Sequence, residues 1–549
     1  MSLPAFSTQA ELFSTAGLSS SLFAPTDRYR LFAQIVYPKV AAARGALEKC
    51  YCPDNGRVAV EPVLMLCVSL LQYLDGLPDR QAVEMLRYHA GWNFALNRQL
   101  GDELFHHTTL SNFRQRLLEN KQSALGFQTI LDALAEAGLV SRQSRQRLDS
   151  TQMFGLVSRM SRLDCVRESM RLALQELEGM VVPEARPVFW VEVWERYVES
   201  QTDYRAGSEA LARKLVEAGT DTARLLEWAG GQSPDNFAPG AQLRLLERVF
   251  SEQFERSASQ TAPKNKGELS SDRVQNPHDT EATYACKGEG KKKKEHVGYK
   301  VQVAETVTQA DLEPGEPTTN FITGIVTHAA YQSDEAGAEK MEAEQAAMGL
   351  DKPPVQYVDG AYVSAQKLAE AQAQGRSLMG PASVPPSKDG RYSTEDFDIQ
   401  VEQRQAVCPA GQQSTQCSRL EEGATGQVTY RFEWSTHCAD CPLRERCVAP
   451  GQKHRTILVG EHHSALQARR REQKTEAFAR AMKHRNGIEG TQSELVRAHG
   501  MRRARYRGLA KVRLQNYFAA AACNVKRWIS RKVWNLKQAS SLTVLGTAH

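Results

Sequence analysis

From Arg28 to Ala137, apolar residues recur at helical spacing in "AVEPVLMLCVSLLQYL", "DRQAVEMLRYHAG" and "TTLSNFRQRLLEN", with Thr108 or Thr109 placed to cap the last. The short run "RQRLDSTQMFG" then predicts a strand ending in a turn. Helical periodicity returns from about Ser161 to Arg256, and residues 257 to 296 are polar and predict a loop. Four strand patterns follow: "HVGYKVQVAET", "NFITGIVTHAA", "PVQYVDGAY" and "RSLMGPAS". The helical patterns "DEAGAEKMEAEQAAM" and "VSAQKLAEAQAQ" separate the later strands. Two adjoining strands followed by alternating helices and strands predict an α/β unit with a mixed sheet. A cysteine-bearing stretch from 400 to 450 interrupts this unit, and a long helical tract runs from His462 to near Trp534.

The 549 residues exceed one compact core and predict three or four structural units. The hydrophobic fraction of 41% and charged fraction of 24% are those of a soluble globular protein. No run approaches the roughly 20 apolar residues of a membrane span. The first residues lack a secretory pattern, so a cytoplasmic location is expected, with the 11 cysteines as thiols or metal ligands. The net charge of +5 conceals an asymmetry: residues 461 to 540 hold 19 Lys and Arg against 5 Asp and Glu. That segment carries +14, leaving −9 for the rest of the chain. A basic surface for phosphates and a merely solvated basic helix fit that charge equally.

Within the basic tract stands Glu489, in "HRNGIEGTQ". The bland reading is an acid stabilised at a helix N-terminus. Two further acids, Asp149 after "QRL" and Asp359 after "VQYV", are read as strand ends, where open α/β sheets bind ligands; taken singly, each reads more readily as a turn-former. Three carboxylates brought together by a fold would suit divalent magnesium and leave room for water and phosphate. Two such ions support phosphodiester cleavage, while nearby arginines hold the DNA backbone. The tract offers Arg497, Arg502, Arg503, Arg505, Arg507 and Lys511 for that purpose.

These residues resemble the D-D-E transposases of bacterial insertion sequences. The resemblance rests on "LDST", "VGYKVQVAET", "VDGAYVSA" and, most specifically, "RNGIEGTQSELVRAHGMRRARYRGLAKVRLQNYFAAAACNVKR". The last is similar to the signature of the branch numbered eleven-eighty-two. The resemblance implies a ribonuclease H-like core with Asp149, Asp359 and Glu489 as catalytic acids holding two Mg²⁺ or Mn²⁺ ions. It implies Arg485 as a DNA contact, the element's inverted-repeat ends and target DNA as partners, and at least a homodimer. The implied reaction is nicking at the ends followed by strand transfer; a catalytically inactive, DNA-binding derivative is the alternative. Related elements carry a tyrosine and a lysine where this chain has Met482 and Val496.

Cys438-x-x-Cys441 has the spacing of a zinc knuckle. The resemblance adds Cys408 and Cys447 as partners in a structural zinc site and leaves Cys417 spare. The expected organisation is an arm over 1–27 and a helical DNA-binding domain over 28–140. The catalytic core spans 141–155, 297–395 and 461–535. A helical insertion with a basic loop covers 156–296, and a cysteine-rich insertion covers 396–460.

Overall fold

The computed structural model describes every residue except 1, 5, 7–19, 53–54, 100, 201–206, 233–237, 258–259, 289–292, 309–319, 386, 388–389, 424–425 and 547–549. Its centre is a six-stranded mixed sheet. In chain order the strands are β1 (Gln146–Phe154), β2 (Thr283–Lys287), β3 (Lys294–Thr306), β4 (Ile322–Ala329), β5 (Val355–Tyr357) and β6 (Ser377–Met379). β3 pairs antiparallel with β1 on one edge, and with β2 and then β4 along the other. β5 joins β1 in parallel, and β6 joins β5 in parallel. The four helices that matter below are α1 (Pro62–Leu74), α2 (Asp334–Ala347), α3 (Glu476–Ala498) and α4 (Leu509–Gly546).

Both faces of the sheet are covered, so β3 is buried almost along its whole length. Alternation assigns the faces. Val297, Tyr299, Val301 and Val303 join Met153 and the apolar side of α4, whereas Leu148, Ala304 and Val326 pack with Met341 of α2. The first of these clusters runs without a break into the N-terminal helices: Tyr73 of α1 stacks on Phe518, and Phe127 on Tyr517. The helices of the chain's beginning and the long helix near its end therefore share one core. At the outer edge of β4, Asn524 of α4 donates to the Ile322 carbonyl and accepts from the Ile322 N–H, satisfying backbone groups that a seventh strand would otherwise meet.

Several local expectations change. The strand holding Asp149 does not end there; it continues to Phe154, because Ser150 to Phe154 pair with Gln302 to Gly298. Residues 257–296 are not simply a loop, since Thr261–Pro263 pairs with Phe254–Arg256 and β2 pairs with β3. The basic tract is three helices, His463–Glu472, α3 and α4. Thr108 opens its helix rather than capping it; His107 occupies the cap position without a side-chain bond. Of the expected N-terminal arm, most residues lie outside those described, but the Ser2 carbonyl accepts from the Ala59 N–H. The region 162–274 has its own apolar cluster around Leu174, Trp190 and Leu246, and the cysteine-bearing region another around Phe397, Phe432 and Trp434.

One buried acid between α2 and α4 sets a pH dependence. Glu344 has a buried Oε1 without a hydrogen-bond partner, and burial pushes its carboxyl up from 4.5 to about 7, although Tyr517 and Arg513 partly oppose the shift. A carboxyl raised in the folded state is happier protonated, so stability falls as pH climbs from 4.5 towards 7 and stays reduced above it. Glu344→Gln is expected to be more stable than the parent by about 2 kcal/mol near pH 8, after allowance for partial solvent contact, with no gain at about pH 4. Urea unfolding at the two pH values checks this; an equal effect at both would contradict it.

Candidate active site

The site forms where β1, the end of β5 and the middle of α3 meet. On β1, Arg147 and Asp149 share the face turned towards α3: the Arg147 Nη1 donates to the His484 carbonyl at 2.9 Å, and Asp149 meets Arg485. Asp359 follows β5 and caps a short 3-10 turn, Gly360–Tyr362, by accepting from the Ala361 N–H. Glu489 lies well inside α3, whose first turn holds Glu476 instead. The helix-terminus explanation for Glu489 therefore fails, because the macrodipole acts within the first turn.

Arg485 and Glu489 are four residues apart and share a helix face. The Arg485 Nη2 lies 3.0 Å from Asp149 Oδ2 and 4.0 Å from Asp359 Oδ2, and its Nη1 lies 4.0 Å from Glu489 Oε1. One guanidinium thus faces all three acids, from positions 149, 359 and 489. Their exposure is graded: the Asp149 side chain is 12% exposed, that of Asp359 38% and that of Glu489 71%. Burial pushes the Asp149 carboxyl above its ordinary value, and Asp359 and Asp334 add to the shift; the Ser150 N–H and Arg485 oppose it. An acid so placed favours a local cation.

Sequence reading missed two neighbours. Asp334, in the first turn of α2, adds to the burial that pushes up both the Asp149 carboxyl and the Tyr362 hydroxyl, and pairs with Lys300 at 3.2 Å. Its position in an acid-rich helix start gave no signal beyond helix capping. Tyr362, three residues after Asp359, is buried against Leu148 and Val358.

The basic residues divide. Arg497, Arg502, Arg503, Arg507 and Lys511 are exposed. The segment carrying Arg502 and Arg503 pairs with the end of β1, through Phe154 N–H to the Arg502 carbonyl and Ala504 N–H to the Phe154 carbonyl. Arg505 differs: its guanidinium covers the Tyr73 ring at 4.8 Å and donates to the Leu77 carbonyl, which ties it to α1.

The cysteines converge as well. Cys408, Cys438, Cys441 and Cys447 line a small, partly open cavity of about 20 Å³, with Arg455 beside them; Cys417, on the strand Gln416–Glu421, does not line it. Burial pushes the Cys447 thiol up to about 11, Arg455 pulls it down, and the other three sulfurs raise it further. Among the described residues, Glu494, His499 and Cys523 offer three donor atoms within 4.8 Å of one another, a tighter set than either site above. Glu494, however, is already paired with Lys526 at 2.8 Å and Arg527 at 2.9 Å. A cation there would have to displace two others, so this set is a structural ion cluster.

A mixed α/β sheet with three acids around one guanidinium is compatible with a ribonuclease H-like core. Residues 407–529 match the family model described as "Transposase DDE domain", and residues 19–116 match one described as "Transposase domain (DUF772)". Both matches support a DDE transposase of an insertion sequence. The first match contains Arg485, Glu489 and the four clustered cysteines, while Asp149 and Asp359 precede it. No curated protein and no solved structure matches the chain. Among the described residues, no helix is long and apolar enough to cross a membrane.

Proposed function

We propose that Asp149, Asp359 and Glu489 are the metal-holding catalytic acids of a ribonuclease H-like core that cleaves the ends of its own element and joins them to target DNA. The observation that carries this reading is the single guanidinium within 4.0 Å of all three carboxylates. Asp149 and Asp359, distant in sequence from α3, meet its Arg485 there. The donor set is all oxygen and suits Mg²⁺ or Mn²⁺. Such ions, when bound, activate an attacking oxygen and stabilise the leaving one.

The chain's own residues do the rest. Asp149, the most enclosed of the acids, fixes the inner wall, while Asp359 and Glu489 face the open side where a phosphodiester enters. Arg485 is placed to donate to a phosphate oxygen. Arg502, Arg503, Arg507 and Lys511 follow the backbone on either side of the scissile bond, without reading sequence. Two element ends must be cut in concert, so the active form is at least a homodimer on paired double-stranded ends, in the bacterial cytoplasm. The test uses DNA carrying the inverted repeats that flank the gene. Cleavage at the repeat ends with Mg²⁺ or Mn²⁺, absent in EDTA and absent with Glu489→Gln, is the expected result. Full cleavage by Glu489→Gln would remove that acid from the site.

We also propose that Cys408, Cys438, Cys441 and Cys447 hold one structural zinc ion. Four protein ligands leave no position for a reactive water. The convergence of four thiols on one small cavity supports this. The purified protein is expected to carry about one zinc per chain, lost in Cys441→Ser and kept in Cys417→Ser. Elemental analysis decides it; equal zinc in all three proteins would exclude the site.

A further inference from the structure

We infer that Arg485 is a displaceable counter-ion that makes metal loading depend on bound DNA. The inference rests on the proposed role of Asp149, Asp359 and Glu489, and it adds a regulation of that site.

Three arginines touch this part of the sheet, and they are held very differently. The Arg147 guanidinium is buried, bonded to Glu305 at 2.5 Å and to the His484 carbonyl. Arg527 is buried and bonded to Glu305, Thr491, Glu494 and the Asn320 carbonyl. Among the described residues, Arg485 has a single hydrogen bond, to Asp149; its two other acidic neighbours stand at 4.0 Å, and its buried Nε meets no partner there. A guanidinium carries five donors. Arg485 is therefore placed by the acids' field more than by bonding geometry, and it leaves most of its donors unspent.

It also stands among the carboxylates that would hold a divalent ion. Guanidinium and metal would draw on the same carboxylate oxygens, and like charges at that distance exclude each other. Without DNA, Arg485 neutralises the cluster and opposes metal entry. A DNA phosphate offers it the stronger partner, since arginine meets phosphate through paired, charge-assisted hydrogen bonds. Moving it outward by rotation of its side chain vacates the cluster while α3 stays in place. DNA and metal then favour each other's binding, and by linkage each raises the other's affinity by the same factor. Metal-assisted cleavage is thereby confined to the DNA-bound protein.

The experiment measures free Mn²⁺ by electron paramagnetic resonance during titration of the full chain, with and without a repeat-end duplex, against a matched duplex blank. In the parent protein the duplex is expected to tighten Mn²⁺ binding by roughly tenfold or more. Arg485→Gln is expected to bind Mn²⁺ more tightly than the parent in the absence of DNA, and to show a much smaller gain from the duplex. A role confined to structure or to DNA contact predicts equal or weaker Mn²⁺ binding by the DNA-free variant, and that result overturns the inference. No effect of the duplex on the parent's Mn²⁺ affinity overturns it too, whether or not the variant folds. Glu489→Gln separates the two levels: unchanged Mn²⁺ binding in that protein would refute the metal site itself.

Discussion

Asp149→Asn is expected to slow cleavage at the element ends by roughly 10³-fold or more, because the lost charge stabilises the reaction electrostatically. The substitution preserves side-chain volume, and the amide oxygen can still accept from the Ser150 N–H, which reaches Asp149 Oδ1 at 2.7 Å. What disappears is the charge. The stability consequence has the opposite sign. Burial raises the Asp149 carboxyl above its ordinary value, and a raised acid weakens the folded state as pH rises through the unfolded value of 3.8 towards the folded one. At neutral pH the metal-free parent therefore bears a buried charge that the asparagine variant lacks. Its melting temperature is expected to equal or exceed the parent's, with duplex binding retained through the exposed arginines. Lost cleavage with lost stability would mean that Asp149 serves the fold; retained cleavage would remove it from the chemistry. A site acid that costs stability is the pattern expected where function sets the residue.

The legible and hidden parts of this molecule differ by how local their causes are. Asp359 was readable because an apolar strand followed by Asp-Gly is a local event, and the structure ends β5 two residues earlier. Ser150 and Thr151 look like turn residues and put Asp149 at a strand end in sequence; pairing with β3, a long-range event, carries the strand on. β2 was hidden for a similar reason. Its partner lies beyond a glycine and lysine run, and lysine on an outer strand discourages further pairing while disguising the strand in sequence. The break between α3 and α4 is local but subtle: Gly500, at a φ of 70°, takes the left-handed conformation that ends a helix. Arg505 could not have been sorted from its neighbours by charge, since only the fold brings it onto Tyr73. The shared core of α1 and α4 likewise has no signature within either segment.

Beneath the site lies the second large effect. Glu305 of β3 is fully buried and joins three elements: it pairs with Arg147 of β1 at 2.5 Å, accepts from Thr491 of α3 at 2.6 Å, and pairs with Arg527 of α4 at 2.9 Å. Arg147 in turn holds the carbonyl of His484, the residue before Arg485, so the network fixes the level at which α3 crosses the sheet. Gly487 makes this approach possible. A Cβ there would lie 2.1 Å from the Arg147 Nη1, a guanidinium too firmly bonded to move aside cheaply. Glu305→Ala leaves two buried guanidinium groups without their shared carboxylate, and breaking a buried pair in this way costs about 3–5 kcal/mol. The expected result is a lower denaturation midpoint together with weakened end cleavage, although position 305 touches neither metal nor DNA in the proposed mechanism. Gly487→Ala separates the two consequences, because it keeps every charge and only shifts the helix. It is expected to lose more cleavage than stability, as positioning errors near 1 Å are costly to catalysis, at about 10²-fold. Normal cleavage by Gly487→Ala would show that the register of α3 on the sheet does not set the geometry of the three acids.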